Sequence, residues 1–440
     1  MEHHRRKNFT RWANLGLLAL EGTAIGLTAG TVICCFRLAR DTAAPYIAQW
    51  LAAWRERWWI APLWLLVLVL AARLLGELVI RVPLISGSGI PQTELVVAGR
   101  LHLSRMDWLK VLPAKFAACL ISTLGGLSLG REGPCIQMGA ATASVLGGLW
   151  ERFTFSGHIH IAAGAAAGMT AAFGSPAAGF LFVFEEMKNR FTRGGALMVA
   201  CSVVSAALAT RWLFGLGRIF PFSDMSALPL AQVWILPALG LLTGVAGVLY
   251  NKALLGGKNL EALHSPLSQR WRILPPLLAS FVLSFLCPSV LGGGEHLVIE
   301  TGALAADPAS CLGVLAGLCL LKTAFSVFSY TGNVPGGILM PMLCIGALFG
   351  AVCGQSLLAL GLISPEDWAT CIIYGMAGFF VSMVRVPLTG TALVIEMSGA
   401  LACLPGTLIV AYVAFWTANT LRCPPVYDSL RAAIVVQKRR

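Results

Sequence analysis

Five consecutive residues, Gly130-Arg131-Glu132-Gly133-Pro134, place a charged pair between helix-starting residues in the middle of a long apolar stretch. The flanks are almost wholly apolar, from Phe116 to Gly130 on one side and from Cys135 to Trp150 on the other. A charged group at the centre of a bilayer costs about 2.5 to 3.5 kcal/mol to insert, so such residues face protein or a water-filled path and mark ion or proton routes. Glu132 is therefore a candidate functional carboxylate. The alternative is that Arg131 and Glu132 pair only to hold two helices together.

Two further segments share this logic: Gly87-Ser88-Gly89-Ile90-Pro91 and Gly336-Gly337-Ile338-Leu339-Met340-Pro341. Each of the three can start a helix, because proline fits a first helical turn whose N–H would be unpaired anyway, and glycine lets the backbone approach a ligand closely. The free N–H groups and the positive end of the helix dipole then form an anion site that needs no full positive charge. Partial charges bind an anion and still let it leave, as conduction requires. Taken singly, each segment also reads as an ordinary tight loop between packed helices.

The elements that must position these groups lie in a membrane. Of the 440 residues, 57% are hydrophobic and only 12% charged, and the mean hydropathy is +0.77, whereas soluble domains carry about 25% charged residues. The chain reads as polytopic, with apolar cores near 14–36, 60–80, 108–129, 195–214, 232–251, 273–287, 310–330, 342–362 and 403–421. The stretches 135–150, 161–173, 176–187 and 388–399 fall short of the roughly 20 residues of a perpendicular span. Short and broken helices are expected, and non-helical backbone at membrane depth survives only where protein buries it or where it lines a cavity.

An internal repeat organises the chain. Adding 207 to Lys115, Gly125, Gly130, Pro134 and Gly139 gives Lys322, Gly332, Gly337, Pro341 and Gly346, and adding 211 to Pro176, Gly179 and Glu185 gives Pro387, Gly390 and Glu396. Two halves with Gly/Pro-interrupted helices at matching positions point to a midplane substrate site between them. The matches do not fix whether the halves are inverted.

The net charge of +12 does not describe a nucleic-acid binder. Its basic residues gather at Arg5, Arg6, Lys7 and Arg11, at Lys188, Arg190 and Arg193, at Lys258, Arg270 and Arg272, and at Lys438 to Arg440. By the positive-inside rule these segments, and both termini, are expected to be cytoplasmic. No signal-peptide cleavage site occurs in the first thirty residues, so the first apolar stretch reads as a retained helix. The thirteen cysteines include no Cys-x-x-Cys pair, and most lie in apolar stretches, as Cys119, Cys201, Cys319 and Cys344 do. They read as packing residues, and His3 and His4 as solvated, so neither a metal nor a cofactor is expected. An intramembrane hydrolase is disfavoured by the lack of a Ser-His constellation, a His-Glu-x-x-His motif or paired intramembrane aspartates.

Together with Pro425-Val426-Tyr427, the three Gly-rich motifs in this order strongly resemble the CLC family of chloride channels and chloride/proton antiporters, over about residues 14–435. The resemblance implies an all-α polytopic membrane protein of two inverted-topology repeats of tilted and broken helices. It also implies a homodimer with one anion pathway per subunit. The expected division is a cytoplasmic segment 1–13, a single transmembrane domain 14–435 with halves roughly 60–215 and 273–421, and a basic tail 436–440. The expected location is the cell (inner) membrane.

The similarity places the hydroxyls of Ser88 and Tyr427 and the backbone N–H groups of Ile338 and Leu339 around a central anion. It makes Glu132 a gate whose ionised carboxylate occupies an anion position and whose protonated form swings away, so that protonation and anion entry are coupled. Antiporters of the family use a second acid on the cytoplasmic side. The stretch Leu181-Phe182-Val183-Phe184-Glu185-Glu186-Met187 matches it, with Glu186 at the proton-transfer position. Glu185 resembles Glu396 and reads as a structural partner, to Arg385 or Lys322, although which of the two neighbouring acids carries protons stays open. Lys115 and Lys322 share a structural task. Leucine at 339 stands where the family usually has phenylalanine, which alters the pore wall but not the N–H. Ser88 argues for chloride over the fluoride-exporting branch. The chain ends 13 residues after Tyr427, so a compact bacterial type without regulatory domains is expected. The function implied is chloride/proton antiport with no chemical step, and the competing reading is a passive voltage- or proton-gated chloride channel of the same fold.

Overall fold

The computed structural model describes residues 2–150, 157–187, 192–215, 217–257, 268, 270–303 and 312–439. The basic positions Lys188, Arg190 and Lys258 lie outside these, as do the side chains of Arg5, Arg6, Lys7 and Arg11. Among the described residues the regular structure is helical, and seven helices are long and apolar enough to cross a membrane.

The first half comprises α1 (Glu2–Glu56), α2 (Ala61–Arg81), α3 (Ile90–Val97), α4 (Arg105–Leu124), α5 (Glu132–Trp150), α6 (Gly157–Phe173), α7 (Pro176–Glu185) and α8 (Arg193–Phe214). The second comprises α9 (Ile235–Gly257), α10 (Leu274–Leu286), α11 (Glu295–Ala303), α12 (Leu312–Thr331), α13 (Leu339–Ala359), α14 (Thr370–Val384), α15 (Pro387–Ser398), α16 (Leu404–Thr420) and α17 (Val426–Arg439).

Several expected boundaries shift. The core expected at 14–36 continues past Arg37 and Pro45 as one helix to Glu56, because the residues after the apolar run are mostly strong helix formers. The stretch 108–129 stops being helical at Leu124, and its last residues join the Gly-rich segment. The stretch 273–287 forms a helix of only 13 residues. Helix α14 was not among the expected stretches. All fifteen of its residues are buried, so it is apolar all round, as a helix enclosed by protein must be.

Helix α14 answers α6 in the other half. Gly139 of α5 packs against Gly164 and Gly168 of α6, and its repeat mate Gly346 of α13 packs against Gly375 and Met376 of α14. A Cβ at Gly346 would lie 2.7 Å from Gly375 O. Small residues let these helix backbones touch, which drives packing where lipid supplies no hydrophobic force. Glycines 22, 26 and 30 of α1 meet Met198, Ser202 and Ala206 of α8 in the same way.

Repeat-equivalent polar residues make equivalent bonds. Lys115 Nζ donates to Ile85 O and Gly87 O at 2.8 and 2.7 Å, and Lys322 Nζ donates to Val290 O and Gly292 O, both at 2.7 Å. Both lysines are fully buried, and each fixes an irregular turn whose carbonyls would otherwise go unpaired. The shared structural task expected of them is what they perform.

Candidate anion and proton site

The three Gly-rich segments all begin helices: α3 follows Gly89, α5 opens at Glu132, and α13 opens at Leu339 with Ile338 as its cap. Gly87 and Gly89 adopt φ of +65° and +92°, conformations open to glycine at little cost. They allow the chain to turn from the Lys115-anchored segment into α3, all eight residues of which are buried.

The segments converge. Gly130 N donates to Gly337 O at 2.6 Å and Gly337 N to Gly130 O at 2.7 Å, an isolated antiparallel bridge between repeat-equivalent glycines. Gly336 N donates to Gly87 O at 3.1 Å, which ties the third segment to the first. Gly133 lies so close to Ser88 that any Cβ there would overlap Ser88 Oγ and Ser88 O.

At this junction Glu132 is fully buried, and neither carboxylate oxygen has a hydrogen-bond partner among the described residues. A Cβ on Gly337 would lie 3.4 Å from Glu132 Oε2, and one on Gly130 would overlap that oxygen. The carboxylate is thus folded back against the bridge, beside the opening turns of α5 and α13. Arg131 does not pair with it. Its Nη2 reaches Glu295 Oε1 of α11 at 3.0 Å, and Arg40 of α1 binds the same carboxylate at 3.2 Å. The alternative of an Arg131–Glu132 helix clamp is not what the structure shows: among the described residues the ion-pair partner of Arg131 is Glu295, from the other half, although Arg131 stays within electrostatic reach of Glu132.

Ser88 Oγ and Tyr427 Oη are buried and, like the Glu132 oxygens, lack a hydrogen-bond partner among the described residues. Orphaned buried hydroxyls cost free energy and call for an explanation, and two donors beside a helix-start junction suit an anion. Ile338 and Leu339 sit where intrahelical acceptors run out, and neither N–H bonds another backbone group at a turn or cap among the described residues. The Leu339 side chain is 1% exposed, so the aliphatic wall belongs to the packed core. Tyr427 lies within electrostatic reach of Glu186, Tyr330, Glu94 and Glu132. It therefore lies near both expected proton carriers. Glu186 caps the C-terminus of α7 and is 2% exposed.

Glu185 is structural in a different way from the pairing expected. Its oxygens accept from Leu388 N at 3.1 Å, Thr389 N at 2.6 Å and Thr389 Oγ1 at 2.7 Å, at the start of α15. Glu396 in turn accepts from Ala177 N and Ala178 N, both at 3.0 Å, at the start of α7. Each acid caps the helix of the opposite half. Arg385 instead bonds Asn419 Oδ1 and Cys423 O, and Lys322 holds its own turn.

Sequence reasoning missed three charged residues. Glu94 of α3 is 1% exposed and meets Arg431 of α17 at 3.1 Å, which joins the helix after Ser88 to the helix bearing Tyr427. Glu295 and Arg40 make up the ionic cluster around Arg131. A lone acid inside the buried run Ile90–Val97, and another directly after Gly292-Gly293-Gly294, were the available signals. The twelve cysteines described are all free.

An all-helical membrane bundle in which two repeats meet at glycine-rich helix starts, with orphaned buried hydroxyls near a buried carboxylate, defines a transport protein for small anions. A model of the voltage gated chloride channel family matches residues 63–419, and the chain belongs to that family. It is 31% identical over 422 residues to an H(+)/Cl(-) exchange transporter of Vibrio parahaemolyticus, covering 92% of this chain and 87% of the relative. It is 30% identical over 417 residues to the counterpart in Klebsiella pneumoniae, covering 92% and 86%. A slow cyanobacterial Cl-/H+ antiporter superposes with TM-score 0.86 at 27% identity, covering 96% of this chain and 99% of that one. A CLC-type fluoride/proton antiporter superposes with TM-score 0.73 at 25% identity, covering 91% and 95%.

Proposed function

We propose that this chain exchanges chloride for protons across the cell membrane, with Glu132 as the group that both ions address. The observation that carries the reading is the Glu132 carboxylate itself, buried without a hydrogen-bond partner against the Gly130–Gly337 bridge. Ser88 Oγ, Tyr427 Oη and the N–H groups of Ile338 and Leu339 bind the anion. When ionised, Glu132 competes with chloride for the same positive helix ends. When protonated it loses that attraction and yields the place, so each proton taken up is coupled to anion movement. Glu186 delivers protons from the other side of Tyr427. Relatives named as H(+)/Cl(-) exchange transporters support this assignment.

The pathway lies between repeats spanning roughly 60–215 and 273–421. The basic segments and both termini are cytoplasmic in this reading, two chains form the working dimer, and no bond is made or broken in transport. The test is proton movement into liposomes of purified protein under a chloride gradient, with the membrane potential set by a potassium ionophore. Chloride-driven proton pumping against the proton gradient is the expected result. Chloride flux without protons would make the protein a passive channel.

A further inference from the structure

Away from the transport site, a cavity of about 390 Å³ opens between α1, α6, α8 and α15. Three arginines line it, Arg37, Arg211 and Arg218, with Glu396 as its one acidic residue. That carboxylate is already committed to the N–H groups of Ala177 and Ala178. Among the described residues no carboxylate forms an ion pair with any of the three arginines, although Arg211 lies within electrostatic reach of Glu396, and Arg37 within reach of Asp41 and Glu295. The cavity lining therefore carries more positive than negative charge, three arginines against one carboxylate.

Two of its arginines have defined contacts other than ion pairs. Arg37 Nη1 donates to Ala171 O at 2.9 Å, and its guanidinium lies 4.3 Å from the centre of the Phe214 ring. Its Nε is buried and has no partner among the described residues. The Arg218 guanidinium rests on Gly399, at a spot that a Cβ would fill, beside the negative end of α15. Three guanidinium forks lining one cavity against a single committed carboxylate suit a tetrahedral oxyanion better than a monoatomic one, because each fork donates two parallel hydrogen bonds. The volume also far exceeds what a halide needs, and lies in the range of small-ligand pockets.

The rim indicates where the cavity sits. Trp212, adjacent to Arg211, is 84% exposed, and Leu208 and Leu213 of the same helix are exposed beside it. Tryptophan flanked by apolar residues at a helix end marks the headgroup level of a bilayer. We infer that this cavity is a binding site for a phosphate-bearing anion, held by Arg37, Arg211 and Arg218 at the level of the lipid headgroups. The shared chemistry is a phosphate group, supplied by an anionic phospholipid or by free phosphate.

The experiment is calorimetric titration of the purified full chain in a maltoside detergent, which carries no phosphate. The probes are dioctanoyl phosphatidic acid and, separately, inorganic phosphate. Saturable binding of at least one is expected, weakened about tenfold or more in the double variant R211Q/R218Q, as loss of charge-assisted hydrogen bonds dictates. Chloride flux of the variant in liposomes should match wild type, since neither side chain touches the transport site. Tight binding of phosphatidic acid alone identifies the lipid as the source, whereas equal binding of both probes identifies free phosphate. Absence of saturable binding by either probe, or unchanged affinity in the variant, overturns the assignment. Both side chains are exposed, and the single variants R211Q and R218Q give the same readout should the double variant not fold.

Discussion

Gly130 and Gly337 exchange backbone hydrogen bonds at 2.6 and 2.7 Å, and each is the other's counterpart in the two-half repeat. An antiparallel exchange between equivalent residues places a local two-fold axis between them, the relation expected of halves of inverted topology. Each glycine is followed by the helix start of its own half. The axis therefore brings Glu132, two residues after one glycine, beside Ile338 and Leu339, which directly follow the other. In the proposed function the gate carboxylate and the backbone donors it competes for are symmetry-related positions put to different uses.

Replacing Glu132 tests the competition directly. Glu132→Gln retains the size of the side chain and removes its charge and its proton exchange. Proton transport should fall to background while chloride flux persists, as read by simultaneous pH and chloride electrodes on loaded liposomes. Proton pumping that survives in a folded Glu132→Gln protein would overturn the gate assignment.

Gly130→Ala probes the resting place of the carboxylate. The added Cβ would overlap Glu132 Oε2 and lie 2.9 Å from Met340 Cβ. The carboxylate is the end of a flexible side chain and moves more readily than packed Met340. The expected outcome is a lower proton-to-chloride ratio with chloride flux retained. An unchanged ratio would mean that the carboxylate does not rest against the bridge.

The neighbouring acids should separate cleanly. Glu185→Gln gives up charge-assisted bonds to the start of α15, each worth about 1.5 to 3 kcal/mol. It should lower thermal stability by several degrees and leave the exchange ratio of the folded protein unchanged. Glu396→Gln should behave alike, because it caps α7 by the same geometry. Glu186→Gln should reduce proton flux more than chloride flux with little loss of stability. Thermal unfolding in detergent, paired with flux ratios in liposomes, distinguishes the two patterns.

Arg431→Ala removes an ionic partner of the buried Glu94 and loosens α17 from α3. Breaking a buried pair from one side costs about 3 to 5 kcal/mol at most, less here because Arg431 is 20% exposed. Tyr427 and Ser88 lie on or next to these two helices, so chloride affinity measured by calorimetry should weaken together with stability. Arg431→Lys should restore part of both.

Much of this protein was legible in the residues themselves. Hydropathy is a sum over composition, so membrane residence followed from it. The helix starts at Ile90, Glu132 and Leu339 followed from glycine and proline, whose backbone preferences act locally. The spacing of Lys115 and Glu185 from Lys322 and Glu396 revealed the two halves, since a repeat is a property of order along the chain. The partners of those residues were a different matter. That Glu185 caps α15 and Glu396 caps α7, that Arg131 turns to Glu295 and not to Glu132, and that Glu94 meets Arg431, all depend on contacts between segments up to several hundred positions apart. Helix α14 is not among the apolar stretches read from the sequence, and its place follows from its complete burial, in part against α13. Local chemistry is written in residue types, whereas the choice of partner is made by the packing of helices around the two-fold axis, where distance along the chain no longer counts.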